Sequence, residues 1–279
     1  MIESRRTGAA AEIWRLALEG WKIPAEILAA APASPWQFPP GLFERRAELA
    51  LKQATPSHEL ALSWLPFDGT VLDVGCGPGA ASMPLAGRAR QLAGVDESSH
   101  FLAEFRRLAE PLVDSVVTVQ GRWPDVAPGV GPADVVVCAN VAYNVTDLAA
   151  FARALTEHAR GRVVLELTAR HPMSELNDLW MTFHGWRGPE RPTAGDCADV
   201  LFELGLEPHR TDWVSTVSQP PLEWPQMVAW TRRRLCLPAD RDAEVEAAIA
   251  PWFKEDGSPA MAPRAMVTLD WPGGATVAV

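Results

Sequence analysis

The sequence of 279 residues holds one tyrosine, three lysines, four cysteines and no run of eighteen apolar residues. Each scarcity excludes something. Without a long apolar run, no segment reads as a membrane span. The opening stretch, MIESRRTGAAAEIWRLALEGWK, lacks the apolar core and small-residue cleavage site of a secretory signal, so none is expected. Cys76, Cys138, Cys197 and Cys236 lie far apart with no C-x-x-C pair. That spacing predicts reduced, mostly buried thiols in a cytoplasmic protein, with no zinc site, no other metal and no disulfide frame. A net charge of −10 repels polyanions on average, which argues against a nucleic-acid partner while leaving room for a local basic groove. The 22 arginines beside three lysines, like the single Tyr143 beside 12 tryptophans, follow GC-rich codon usage and imply no function by themselves.

What is present is a globular composition, 48% hydrophobic and 22% charged, enough for a sizeable core. Residues 1–65 read as a helical extension broken by proline. Ile13, Trp14, Leu16, Ala17 and Trp21 recur at helical spacing, and a second short helix starts at Pro24. The stretch from Ala31 to Pro40 carries four prolines, which fix φ and remove donors, so it is neither regular helix nor central strand. Helices are expected over Leu42–Gln53 and Ser57–Leu65.

From Thr70 the pattern changes to short β-branched runs: Val71–Val74, Gln91–Val95, Val116–Val119, Asp134–Cys138 and Arg162–Leu167. Between them lie helix-length segments, Ala80–Ala89, Ser98–Glu110 and Asp147–Arg160. Near-continuous apolar strands alternating with helices predict an α/β domain over 66–279 with a parallel sheet covered on both faces. His171–Pro192 reads as a connection. A helix over Ala194–Leu204 is expected, capped by Thr193 and ended by Gly205. Sixth and seventh strands follow at Arg210–Val217 and Ala265–Trp271, with a helical insertion of about 219–255 between them. Within it, the run Arg232–Arg234 reads as a solvated face.

The strongest motif is Val71-Leu-Asp-Val-Gly-Cys-Gly-Pro-Gly79, a strand entering a glycine turn. Glycines at 75, 77 and 79 permit positive φ and close backbone approach, and a following helix would aim N–H groups at a ligand. Gly75, Gly77 and Ala80 also satisfy the dinucleotide fingerprint G-x-G-x-x-G/A. Asp73 argues against that reading, because a carboxylate opposes a pyrophosphate and suits a cationic ligand.

On these residues the sequence resembles the class I S-adenosylmethionine-dependent methyltransferases, whose first motif D-x-G-x-G-x-G is matched by Asp73, Gly75, Gly77 and Gly79. The resemblance continues through Ala93-Gly-Val-Asp96, where Asp96 would bind the ribose hydroxyls, and Ala133–Asn140, which would be the fourth strand. It implies a Rossmann-like fold, S-adenosylmethionine as cofactor and S-adenosylhomocysteine as product. It places Cys76, Glu97, Arg122, Trp123, Asn140 and Val141 beside the cofactor as well. Where the family often has Gly-Asp after the third strand, this chain has Gln120-Gly-Arg-Trp123. Arg122 cannot accept a bond from the adenine amino group, which leaves backbone, water or Asp125. The Trp123 ring either packs on the adenine or is ordinary core.

Methyl transfer from a sulfonium needs alignment more than a base. The candidates for the chemistry are Tyr143, His171, His184 and Glu166. Asn140-Val-Ala-Tyr143 loosely overlays the [D/N/S]-P-P-[Y/F] motif of amide and nucleobase methylation, without its prolines. Val141–Asp147 is closer to a loop of small-molecule methyltransferases, with Asn144 in place of its histidine. Tyr143 is otherwise a packing aromatic. Glu166, among apolar neighbours, needs an arginine or a helix N-terminus as partner, or else lines the pocket. His171 and His184 can each take a proton near neutral pH or be structural, and Arg170 can attract an acidic group. His58 reads as structural or exposed. The resulting expectation is a methyltransferase acting on a small molecule. The alternatives are an RNA or protein N-methyltransferase using Asn140 and Tyr143, and a cofactor-fold binding protein without catalysis. The extension and the insertion, both rich in Trp and Phe, are expected to form a lid.

Overall fold

The structure is a computed structural model that describes residues 8–215, 223–253 and 263–274. Strands β1 (Gly69–Val74), β2 (Ala89–Asp96), β3 (Ser115–Gln120), β4 (Ala133–Ala139), β5 (Ala159–Thr168), β6 (His209–Val214) and β7 (Ala265–Pro272) form one sheet. Its order is β3-β2-β1-β4-β5-β7-β6. Only β7 runs against its neighbours, with Leu165 opposite Leu269 and Thr211 opposite Thr268. This is the Rossmann-like, mostly parallel α/β sheet that the alternating pattern predicts. All six residues of β1 are buried, as a central strand covered on both faces requires.

The helices are α1 (Ala9–Glu19), α2 (Ala25–Ala30), α3 (Leu42–Ala50), α4 (Pro56–Trp64), α5 (Ser99–Ala109), α6 (Leu148–His158), α7 (Asn177–His184), α8 (Ala194–Glu203), α9 (Trp224–Arg234) and α10 (Asp242–Ile249). The two-residue period of the strands divides the core. Val71, Val135, Val137 and Val164 join Ala61 of α4, Leu65 just after it, and Leu102 and Phe105 of α5 on one face. Leu72, Val136, Val163 and Leu165 join Phe151, Leu155, Val200 and Leu201 of α6 and α8 on the other. The Thr193 hydroxyl accepts from the Asp196 amide at 3.3 Å, and Gly205 ends the helix at φ 77°.

Two expectations are corrected. Ala80–Ala89 is not an α-helix but a set of turns with one short 3-10 turn at Met83–Leu85. Pro84 lacks the donor a continuous helix needs there. The connection His171–Pro192 contains α7, whose wholly buried Trp180 joins Val228, Leu235, Val245, Ile249 and Ile23 in a third core. The insertion therefore packs on α7 and on the start of the extension. Val217 and the flanks of the insertion at 219–222 and 254–255 lie outside the described residues.

The start of the extension is anchored. The Glu203 carboxylate accepts from the amides of Ala9, Ala10 and Ala11 at 2.8–3.2 Å, complementing the positive end of α1. Trp14, with no exposed surface, donates from Nε1 to the Val145 carbonyl at 2.8 Å. Trp21 donates to the Arg191 carbonyl at 2.8 Å.

Candidate active site

Parallel strands end together, so β1, β2, β4 and β5 deliver their last residues to one edge of the sheet, where open α/β folds bind ligands. At the end of β1 the chain turns over β2, with the amides of Gly75 and Cys76 donating to the Val95 carbonyl at 2.8 and 3.0 Å. Gly75 (φ 69°) has to be glycine, because a Cβ there would run into Cγ2 of Val141. Gly77 (φ 49°) differs: the space in front of it is open, as a cradle for a ligand requires. Gly79 closes the turn with its amide on the Cys76 carbonyl at 2.8 Å. The Cys76 thiol is buried and pushed well up by desolvation, so only the backbone of Cys76 can meet a ligand.

Asp73 is 1% exposed. Its Oδ2 accepts from the Ser82 hydroxyl at 2.6 Å, while Oδ1 is buried with no partner. Burial pushes this carboxyl up to about 7; the Ser82 bond opposes the shift and the nearby Asp96 charge adds to it. A buried carboxylate oxygen without a donor suits a cationic or N–H-bearing group. The ammonium of an amino-acid cofactor has that chemistry.

Asp96 ends β2 with one oxygen on the Gly77 amide at 2.9 Å and the other on the Ser98 amide at 2.8 Å. It thus shapes the glycine loop, and each oxygen keeps a free lone pair for ribose hydroxyls. Glu97 and Arg122 are exposed and 4.0 Å apart at the same edge, and Gln120 Nε2 donates to the Glu97 carbonyl at 3.1 Å. Asp125 is exposed. The adenine reading of Trp123 is corrected: its ring is buried in the core, perpendicular to the His158 imidazole at 4.8 Å. That imidazole bonds the Ala127 carbonyl at 3.0 Å, at the foot of β5 rather than at its ligand-binding end.

At the end of β4, Asn140 takes a left-handed conformation (φ 60°) and turns its Nδ2 onto Glu166 Oε1 at 3.2 Å. Burial raises the Glu166 carboxyl, and hydrogen bonding from Ser57, Asn140 and Thr55 pulls part of the shift back. Glu166 also lines a small cavity with Ser57, His58, Ala81 and Ala139. Its partners are side chains, from the start of α4 and from Asn140, and no arginine pairs with it among the described residues.

The other chemical candidates are tied into the framework. Tyr143 donates its hydroxyl to the Thr168 carbonyl at 2.8 Å and stacks on Trp14 at 5.6 Å. Burial raises its pKa, so it is a packing aromatic. His171 stacks on Trp21 at 4.1 Å and meets Tyr143 edge-on at 5.2 Å. Its Nδ1 accepts from the Met173 amide at 3.3 Å, and burial lowers its pKa to about 4, leaving it neutral at pH 7. His184 is committed through Nε2 to the Leu235 carbonyl at 2.6 Å, in the third core. Arg170 is exposed and pairs through its backbone with Thr193.

Sequence reasoning missed Ser82 and the role of α4. His58, buried and lowered to about 4 by desolvation, accepts the Thr55 amide on Nδ1 at 3.0 Å and donates from Nε2 to the Ala80 carbonyl at 3.0 Å. It fastens α4 to the glycine loop. The only signal was Thr55-Pro-Ser-His, a helix-start pattern.

Residues 71–161 match the methyltransferase domain family. No curated protein matches the chain by sequence. Among solved structures, the chain is similar to a cyclopropane-fatty-acyl-phospholipid synthase-like protein from Lactobacillus casei, with 16% identity and a TM-score of 0.53 over 88% of this chain and 97% of that one. Magnesium protoporphyrin IX methyltransferase from Synechocystis, solved with S-adenosylhomocysteine bound, gives 14%, 0.50, 95% and 100%. The YcgJ protein from Bacillus subtilis gives 16%, 0.51, 78% and 97%. The glycine loop, with its carboxylates Asp73 and Asp96, lies within the matched segment. The chain thus matches a methyltransferase-domain model over residues 71–161 and shares the fold of these structures.

Proposed function

We propose that the chain transfers a methyl group to a small-molecule acceptor by in-line displacement beneath a roof made from its own extension and insertion. The observation that supports this is a row of rings along the ligand edge. Phe38 lies 4.8 Å from Phe43, and Phe43 lies 5.2 Å from Phe101 at the start of α5. At the other end Phe38 faces Arg234 of α9 at 4.5 Å. A covered edge favours an acceptor that fits under it over a macromolecule. Tyr143, bonded away in the core, does not offer its ring to a nucleobase or peptide amide.

The donor supplies an activated methyl group when bound. Asp73, Gly77 and Asp96 hold and orient it, at the ammonium, the backbone cradle and the ribose. The roof excludes water and limits the approach of the acceptor, where alignment contributes most of the rate. Glu166, held by Ser57, Thr55 and Asn140, is the carboxylate that lines the small cavity at the end of β4. Calorimetry with S-adenosylhomocysteine, followed by tritium transfer from labelled donor into metabolite and RNA pools, tests this reading. Label entering only macromolecules would refute it.

A further inference from the structure

The run Arg232–Arg234 is not one solvated face. Arg232 pairs with Asp242 at 2.5 Å and bonds the Leu237 carbonyl at 3.2 Å. Arg234 turns the other way, half-buried among aromatic rings: its Cζ lies 4.5 Å from the centroid of Phe38, 5.6 Å from Trp230 and 5.9 Å from Trp36. Among the described residues no carboxylate meets it, and its one polar contact is a weak one, Nη1 to the Met173 sulfur at 3.8 Å. Trp230, one of the rings around it, keeps its Nε1 buried without an acceptor. The Trp230 N–H is thus buried without an acceptor, beside a half-buried guanidinium that meets no carboxylate among the described residues. A buried donor without an acceptor is costly, and a carboxylate beside it would satisfy both groups.

The cluster stands at the ligand edge. Met173 follows the end of β5 by five residues, and the same short turn carries Glu175, which takes Arg264 in a two-pronged pair at 2.5 and 2.7 Å. Arg264 precedes β7 where that strand starts beside Thr168. Arg46 of α3 lies over Phe43 at 5.4 Å, and the positive charge of Arg264 is near enough to be felt there. Arg264 is thus matched by Glu175, whereas Arg234 meets no carboxylate among the described residues. A guanidinium fork matches a carboxylate in two-pronged geometry, and flanking rings shield that pair from water while stacking on a flat ligand.

We propose that the methyl acceptor is a small carboxylic acid with a flat apolar body, its carboxylate held by Arg234 and its body lying along Phe38 and Phe43. This rests on the methyltransferase reading and narrows it to a substrate class. The test uses the full chain saturated with S-adenosylhomocysteine and two fluorine-labelled probes of equal shape, 4-fluorobenzoate and 4-fluorobenzamide, titrated by fluorine NMR. The acid should bind at least tenfold more tightly than the amide. Arg234→Gln should erase that preference, and Arg234→Lys, which keeps the charge but loses the fork, should restore only part of it. An unchanged affinity for S-adenosylhomocysteine shows that each variant is folded. Equal binding of acid and amide, no binding of the acid, or a preference that survives Arg234→Gln would overturn the proposal while leaving the methyltransferase reading intact. Failure of the wild type to bind S-adenosylhomocysteine would overturn both.

Discussion

On the proposed function, Asp73 should make cofactor binding depend on pH in a calculable way. Its carboxyl sits near 7 because burial disfavours the charge, with Ser82 alone donating to it. The ammonium of S-adenosylhomocysteine needs the ionised form. With a midpoint of about 7, roughly a tenth of the free protein is ionised at pH 6 and roughly nine-tenths at pH 8. Affinity should therefore rise about tenfold across that interval, or ~1.4 kcal/mol, and then level off. Stability of the free protein should move the opposite way. A carboxyl raised on folding contributes stability that is complete below its unfolded value and is lost as pH climbs through 7. Calorimetric titrations at pH 6, 7 and 8, paired with thermal melts of the free protein, measure both slopes. Asp73→Asn keeps the shape and removes the titration, so its affinity should be lower at pH 8 and flat with pH. A wild-type affinity that does not change between pH 6 and 8, or an Asn variant that keeps the slope, would refute the assignment of this oxygen to the ammonium.

Three further outcomes follow from the same geometry. Asp96→Ala removes the acceptor of the Gly77 and Ser98 amides as well as the expected ribose contacts, and should weaken S-adenosylhomocysteine binding by about 10- to 1000-fold, ~1.5–4 kcal/mol, by calorimetry. Gly77→Val fills an open cradle at a positive φ and should abolish binding with the far-ultraviolet circular dichroism unchanged; a variant that binds normally would move the cofactor off this turn. Tyr143→Phe strands the Thr168 carbonyl and should cost about 1–2 kcal/mol in urea unfolding, while cofactor affinity stays within about twofold. A large loss of turnover without a loss of stability would return Tyr143 to the chemistry.

The parallel sheet was legible because its strands are short apolar runs, and a period of two sorts Val135 and Val137 onto one face and Val136 onto the other without reference to anything distant. The glycine loop was legible because the backbone conformations it needs restrict the residue types. The misreadings concern side chains whose partners are far away in sequence. Tyr143 and His171 carry the right chemistry at the right edge, yet Trp14 and Trp21 from the extension occupy their faces, and no local pattern announces such a pairing. The turns after Gly79 had a local signal in Pro84, which an expectation of strand–turn–helix outweighed. Arg234 looked like one of three solvated charges because a run of like residues hides which of them faces inward.

The extension is two structures with different energetics, and that bears on how the cleft opens. Through α1 it is part of the core: the Glu203 carboxylate caps the helix, Trp14 and Trp21 are buried, and each indole N–H has its own carbonyl. Removing that segment would empty volume behind β5, so a truncation through residue 40 would test folding before it tested closure. Residues 31–46 are held differently. Trp36 is 49% exposed and Leu42 alone among the large side chains of this stretch is buried, while α3 meets α5 through His100–Glu44 at 3.0 Å and Arg107–Glu48 at 3.7 Å, each with an exposed member and worth little. Segments with few buried contacts open at low free energy while the core stays closed. On the proposed function, acceptor entry should use the stretch that carries Phe38 and Phe43, with α1 staying anchored; an amide of Phe43 that exchanges no faster than that of Trp14 in hydrogen exchange would refute this. The face of Arg234 that this stretch covers is then the first cationic surface an entering acid would meet.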